Sequence, residues 1–190
     1  MSNEAASGEQ QPWQKIFLIG YRACGKSAVG RQLAAELDWR YLDCDRELSR
    51  RAGCSISDLV AHAGWEEFRA RERQLLSELL PRRELVVATG GGAVLHQELW
   101  PALRRSGLVV WLTAEPATIT RRLAADPLSQ SQRPALTEQG LLAEITTVLD
   151  QRQPLYQQAA HLRIATDQLA PPAIVEEIIA HLTATAADDI

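Results

Sequence analysis

Lysine is nearly missing from this sequence. Of 20 basic residues, only Lys15 and Lys26 are lysines. Cysteine is sparse too, limited to Cys24, Cys44 and Cys54. Three scattered thiols exclude a disulfide scaffold and fit a reducing compartment. Positive charge is not in surplus: 20 basic against 24 acidic residues give a formal net charge of −4. A sequence-independent nucleic-acid binder needs the opposite balance, so no nucleic-acid partner is expected. No stretch approaches the ~18 consecutive apolar residues of a membrane span, so no membrane partner is expected. Residues 1–13 contain Glu4 and Glu9 but no Lys or Arg. That excludes a basic secretory start and an Arg-rich transit peptide. The segment reads as a disordered tail, and the chain as cytoplasmic.

What is present is ordinary globular composition, 46% hydrophobic and 23% charged over 190 residues. That length suits one domain. Apolar runs at 16–19, 85–88 and 108–112 are short and bounded by turn signals, as in strands buried on both faces of a parallel sheet. Residues 40–42 and 162–165 are more polar and suit edge strands. Between them lie helical patterns. Val29, Leu33 and Leu37 repeat every four residues. Trp65, Phe68, Leu75, Leu76 and Leu79 keep one face across 66–80. Ile174, Val175, Ile178, Ile179 and Leu182 form a last stripe, with Pro171-Pro172 suited to a helix start. Strand alternating with helix predicts a three-layer α/β fold, a central parallel sheet of about five strands flanked by helices. One domain is expected over 14–184, followed by a tail at 185–190. Residues 126–133 are polar and aperiodic, which suits a surface loop or a lid over about 124–137.

The strongest chemical signal is Gly20-Tyr21-Arg22-Ala23-Cys24-Gly25-Lys26-Ser27. It fits G-x-x-x-x-G-K-[ST] at every fixed position, after an apolar strand and before an amphipathic helix. Such a loop closes backbone N–H groups around phosphate oxygens, with a helix N-terminus aimed at the anion. The lysine reaches the β- and γ-phosphates, and the serine hydroxyl can bind Mg²⁺. In a chain that uses Arg almost everywhere, a Lys stands at the motif's obligate Lys position. Asp43-Cys44-Asp45 follows the second strand. Were the strand to continue, both carboxylates would share one face, at the end where open α/β sheets bind ligands. One could then assist Mg²⁺ through water and the other hold or deprotonate a hydroxyl. Alternatively, Asp45 caps the next helix.

Arg69 and Glu72 are three apart on a helix and can touch. They make either an exposed ion pair or a Glu-oriented fork for a carboxylate. Thr89-Gly90-Gly91-Gly92 sits at another strand end, as a plain turn or as a close approach of ligand to backbone. Arg133 and Arg152, each beside a proline-containing segment, read singly as surface charges. His62, His96, His161 and His181 show no metal-ligand spacing and read as incidental.

In order, GYRACGKS, DCD, GWEEFRARE, TGGGAV, RPAL and RQPLY resemble the shikimate kinase family, over about 16–182. The resemblance implies a P-loop kinase fold and transfer of the ATP γ-phosphoryl to the 3-hydroxyl of shikimate, on the route to chorismate and the aromatic amino acids. It implies ATP and Mg²⁺, and a monomer. The nucleotide would meet Gly20, Ala23, Cys24, Gly25, Lys26, Ser27, Ala28 and Arg133. Ser27 would bind the metal, with Asp43 acting through water. Asp45 would be the base and contact the substrate hydroxyls. Arg69 and Arg152 would clamp the carboxylate, with Gly91 and Gly92 against the ring and Glu72 orienting Arg69. Lys26, Asp45 and Arg133 would be catalytic. The chain departs from the family pattern at Ala28, where Thr is common, at Trp65, where Glu is frequent, and at Ala125, where an adenine-stacking Arg is usual. The competing expectations are a related kinase for a substrate such as gluconate, a non-catalytic nucleotide-binding module, and a nucleic-acid-linked ATPase.

Overall fold

A computed structural model of the protein describes residues 13–125 and 140–187. Five strands, β1 (Lys15–Ile19), β2 (Arg40–Asp43), β3 (Leu85–Ala88), β4 (Leu108–Thr113) and β5 (Leu162–Ala165), form one sheet in the order β2-β3-β1-β4-β5. Every neighbouring pair is parallel. The continuous apolar runs become β3, β1 and β4 in the middle, buried apart from the half-buried Thr113. The more polar runs become the two edges, where a strand has one neighbour and less to bury.

Strand alternation sends side chains to two cores. Phe17, Ile19, Val87, Val109 and Trp111 face one layer, formed by α2 (Cys44–Ala52), α3 (Ile56–Leu79) and α4 (Trp100–Ser106). Ile16, Leu18, Val86, Val110 and Leu112 face the other, formed by α1 (Lys26–Leu37), α5 (Pro116–Ala125) and α7 (Pro171–Ala187). Each fully buried Leu, Ile or Phe contributes about 1.5–3 kcal/mol. The remaining helix, α6 (Leu141–Ala159), serves both layers: Ile145 and Val148 join the second core, Tyr156 and Ala159 the first. It therefore spans the sheet and carries Arg152 between the two.

Lys15 breaks the apolar pattern of β1 yet is 1% exposed. Its Nζ donates to the Leu79 and Leu80 carbonyls at 2.6 and 2.8 Å, closing the C-terminal end of α3. Burial, and secondarily the charge of Arg83, lower its pKa to about 8.

Three local features differ from the sequence pattern. Asp43, not Asp45, caps α2: its Oδ1 accepts from the Asp45 and Arg46 backbone N–H groups at 3.1 and 3.2 Å. The strand thus ends at Asp43, and Asp45 stands in the first helical turn rather than on a shared strand face. The helix at 66–80 belongs to a longer unit beginning at Ile56, with Ser55 as N-cap and a break at Gly64 (φ 80°, ψ 170°). α7 runs to Ala187, three residues into the stretch read as a tail, because Ala-Thr-Ala-Ala holds no residue that stops a helix. At the other end Trp13 is half-buried, its ring 5.1 Å from that of His161.

Candidate active site

The phosphate loop leaves β1 through Gly20, whose φ is 134°. A Cβ there would stand 2.2 Å from the Leu112 carbonyl oxygen, so only glycine lets the chain turn this close to β4. Ala23 and Gly25 also take left-handed backbone (φ 60° and 95°), the kind of geometry that builds anion-binding concavities. Gly25 is the N-cap of α1, whose first turn holds no acidic residue, so its dipole favours an anion at the loop. Lys26 lies buried over the loop, its Nζ donating to the Gly20 and Tyr21 carbonyls at 2.7 Å each. Both lysines of this arginine-rich chain therefore sit where one compact ammonium bonds a pair of carbonyls. Ala28 N–H closes onto the Gly25 carbonyl at 3.1 Å, inside the first turn.

Ser27 and Asp43 meet at the end of β2. Ser27 Oγ donates to Asp43 Oδ2 at 2.9 Å, and Tyr41 Oη donates to the same oxygen at 3.2 Å. Asp45, one residue past the buried Cys44, is half-buried in the first turn of α2. Burial and the carboxylates of Asp45, Glu72 and Asp43 push the Cys44 thiol well up. Burial likewise raises Cys24, and all three cysteines are free.

The glycine turn after β3 packs against the phosphate loop. A Cβ on Gly91 would be 3.4 Å from the Arg22 nitrogen and 3.6 Å from the Gly20 oxygen. From α6, Arg152 NH1 and Tyr156 Oη, one helical turn apart, both donate to the Gly91 carbonyl, at 3.0 and 2.5 Å. Burial raises the Tyr156 pKa, keeping it a donor. From α3, the Arg69 guanidinium lies so close to Gly92 that a Cβ would fall 2.3 Å from either terminal nitrogen. Arg69 and Arg152 therefore touch adjacent residues of one turn. Standard backbone dimensions keep their nearest nitrogens within about 11 Å of each other even along the fully extended path. The Arg69 guanidinium also stacks near the Phe68 and Trp65 rings, 5.1 and 5.5 Å from their centroids.

Glu72 is 1% exposed and holds Arg69 NH1 through Oε2. The exposed ion pair that spacing alone allows is thus replaced by one whose carboxylate is buried and whose guanidinium is half-buried. Burial would push the Glu72 carboxyl up, but the His96 hydrogen bond and the Arg69 charge outweigh it and hold it below the ordinary range. That bond, 3.1 Å from His96 Nε2 to Glu72 Oε2, shows that His96 is not incidental. A search of spacings for metal ligands does not find it, because its partner is one carboxylate 24 positions away. Arg122 was equally illegible: it props the loop from behind, donating to the Ala23 carbonyl at 3.1 Å and to the Thr166 hydroxyl and carbonyl at 3.0 and 2.6 Å. Arg133 and the lid beyond Ala125 lie outside the described residues. A separate cavity of about 570 Å³ is lined by Trp13, Trp100, Leu155 and His161 among others, and by none of the phosphate loop, Asp45, Arg69 or Arg152.

A phosphate loop at the carboxyl end of a parallel sheet, with two guanidinium groups on the glycine turn that packs against it, defines a P-loop kinase of a small acidic molecule. The match to known proteins is narrower. A family model described as shikimate kinase matches residues 22–183, and the chain belongs to that family. It is 46% identical over 169 residues to a shikimate kinase of Nitratidesulfovibrio vulgaris, covering 88% of this chain and 95% of the relative. A solved shikimate kinase from Acinetobacter baumannii, in complex with shikimate, superposes with a TM-score of 0.84 at 33% identity, covering 93% of this chain and 96% of that one. A gluconokinase from Sinorhizobium meliloti shares the fold alone, at TM-score 0.53 and 17% identity over 92% of this chain and 94% of that one.

Proposed function

We propose that the chain transfers the γ-phosphoryl group of ATP to the 3-hydroxyl of shikimate, giving shikimate 3-phosphate and ADP. The observation that carries this reading is the meeting of Arg69 and Arg152 at Gly91-Gly92, against the phosphate loop. A ring carboxylate held by two planar forks would present its hydroxyls toward Asp45 and the loop. In the transfer, the bond from the substrate oxygen to Pγ forms as the bond from Pγ to the β–γ bridging oxygen breaks. The hydroxyl proton goes to Asp45 and then to solvent. Lys26 leaves the loop carbonyls for the phosphates, and the N–H groups from Ala23 to Ser27 hold their oxygens. Arg133, outside the described residues, completes the charge shell.

The oxygen donors of Ser27 and Asp43, 2.9 Å apart at the loop, fit a hard divalent cation such as Mg²⁺ that also keeps waters. When bound, that ion neutralises charge on the phosphates. Ser27 would bind it directly and Asp43 through water, since Asp43 Oδ1 is already engaged in capping α2. A monomer in the cytoplasm completes the proposal.

Steady-state kinetics of two variants test the clamp. Arg69→Lys keeps a charge beside buried Glu72, so the fold holds, but it removes the fork. Arg152→Ala removes the second fork. Each is expected to raise KM for shikimate by about tenfold to a hundredfold, equivalent to about 1.5–3 kcal/mol of charge-assisted hydrogen bonding. KM for ATP stays within about twofold, because the loop is untouched. Unchanged KM for shikimate in both variants would falsify the clamp.

A further inference from the structure

Among the described residues, Glu72 Oε2 has two donors: Arg69 from its own helix and His96 from the end of the glycine turn. Its second oxygen, Oε1, is buried without a hydrogen-bond partner among the described residues. The orientation of the carboxylate therefore rests on those two donors. His96 is 7% exposed and belongs to the same rigid bracket as the glycines. Ala93 N–H donates to Gly90 O at 3.1 Å, Leu95 N–H to Gly92 O at 3.0 Å, and His96 N–H to Ala93 O at 3.2 Å. Trp100 Nε1 pins the bracket from outside by donating to Ala93 O at 3.1 Å. Glu72 titrates low and can only accept, so His96 Nε2 carries the shared proton.

We infer that His96 is a positioning residue for the acidic substrate: through Glu72 it ties the helix carrying Arg69 to the turn carrying Gly92, and so fixes the angle at which the Arg69 fork meets the carboxylate. The inference rests on the carboxylate clamp proposed above. Without the His96 donor, Glu72 can rotate about its remaining bond and the Arg69 fork loses its register over Gly92, while the phosphate loop and Asp45 keep their own supports. The change falls on substrate affinity rather than on turnover.

The test is kinetic, with purified full-length variants. His96→Leu keeps bulk without a donor. It is expected to raise KM for shikimate about fivefold to tenfold, the equivalent of one ordinary net hydrogen bond, with kcat and KM for ATP within about twofold. His96→Ala, which adds no bulk, carries the same expectation should Leu prevent folding. His96→Gln retains an N–H donor and is expected to return KM to within about twofold of the parent, a rescue that a purely space-filling role does not produce. In an Arg69→Lys background, where no fork remains to orient, His96→Leu is expected to add nothing to KM, whereas independent effects would add. An unchanged KM in both His96→Leu and His96→Ala, no rescue by Gln, or additivity with Arg69→Lys overturns the inference while the clamp stands. An Arg69→Lys enzyme with unchanged KM overturns the clamp, and the inference with it.

Discussion

Lys26→Met is expected to lower kcat by about two orders of magnitude or more while the protein stays folded. Phosphoryl transfer depends on positioning and on neutralising charge spread over the phosphate oxygens, and loss of one strong electrostatic stabiliser costs about 10²–10³ in rate. The geometry adds a second consequence. Lys26 Nζ donates to the Gly20 and Tyr21 carbonyls, so methionine also removes two cross-ties from the loop. A stability loss of about 1–2 kcal/mol is expected, small against a typical domain stability of about 5–15 kcal/mol. Denaturant unfolding of the variant alongside single-turnover kinetics separates the two effects. Near-normal turnover in a folded Lys26→Met protein contradicts the assignment of the phosphate loop.

Asp45→Asn is expected to lower kcat by about 10²–10⁴, the usual range for a lost general base. ATP binding without shikimate stays unchanged. The substitution is a clean one because Asp43 is the cap of α2 and keeps its bonds to the Asp45 and Arg46 N–H groups. If Asp45 did no more than place negative charge in the first turn of α2, Asn would cost about 0.3–1 kcal/mol of stability and leave activity intact. The two outcomes differ by orders of magnitude in rate, and stopped-flow or coupled assays resolve them.

The strands and the phosphate loop were legible because each is a local pattern. Buried parallel strands read as unbroken apolar runs, and the loop needs fixed residues at fixed spacing. The first half of α3 was missed although Ser55 and Asp58 marked it: Ser55 Oγ accepts from Asp58 N–H at 3.1 Å, an N-terminal signature visible in the sequence. The site was legible only in part, for a different reason. Asp43-Cys44-Asp45 suggested one extended face, but the Asp43 side chain captures two N–H groups and turns the chain into α2 at Cys44. Local capping outweighed strand continuation there. His96, Tyr156 and Arg122 were invisible because what they do is set by tertiary contact. His96 reaches Glu72 across 24 positions, Tyr156 reaches Gly91 across 65, and Arg122 reaches Ala23 across 99. No spacing rule covers such pairs. The sequence did hold the pairing of Arg69 with Glu72, yet not its burial, which turns an optional surface contact into a fixed one.

The most direct test of the central claim is an ADP-release assay coupled to NADH oxidation, run on the full chain with ATP and a panel of acceptors: shikimate, gluconate and nucleoside monophosphates, each with and without Mg²⁺. ADP release is expected with shikimate in the presence of Mg²⁺. It is expected to drop to background when either is omitted, with gluconate and the nucleoside monophosphates at least about a hundredfold slower in kcat/KM, since neither presents a ring carboxylate to two forks. ADP release at the same rate with gluconate, or at a rate independent of shikimate, contradicts the account.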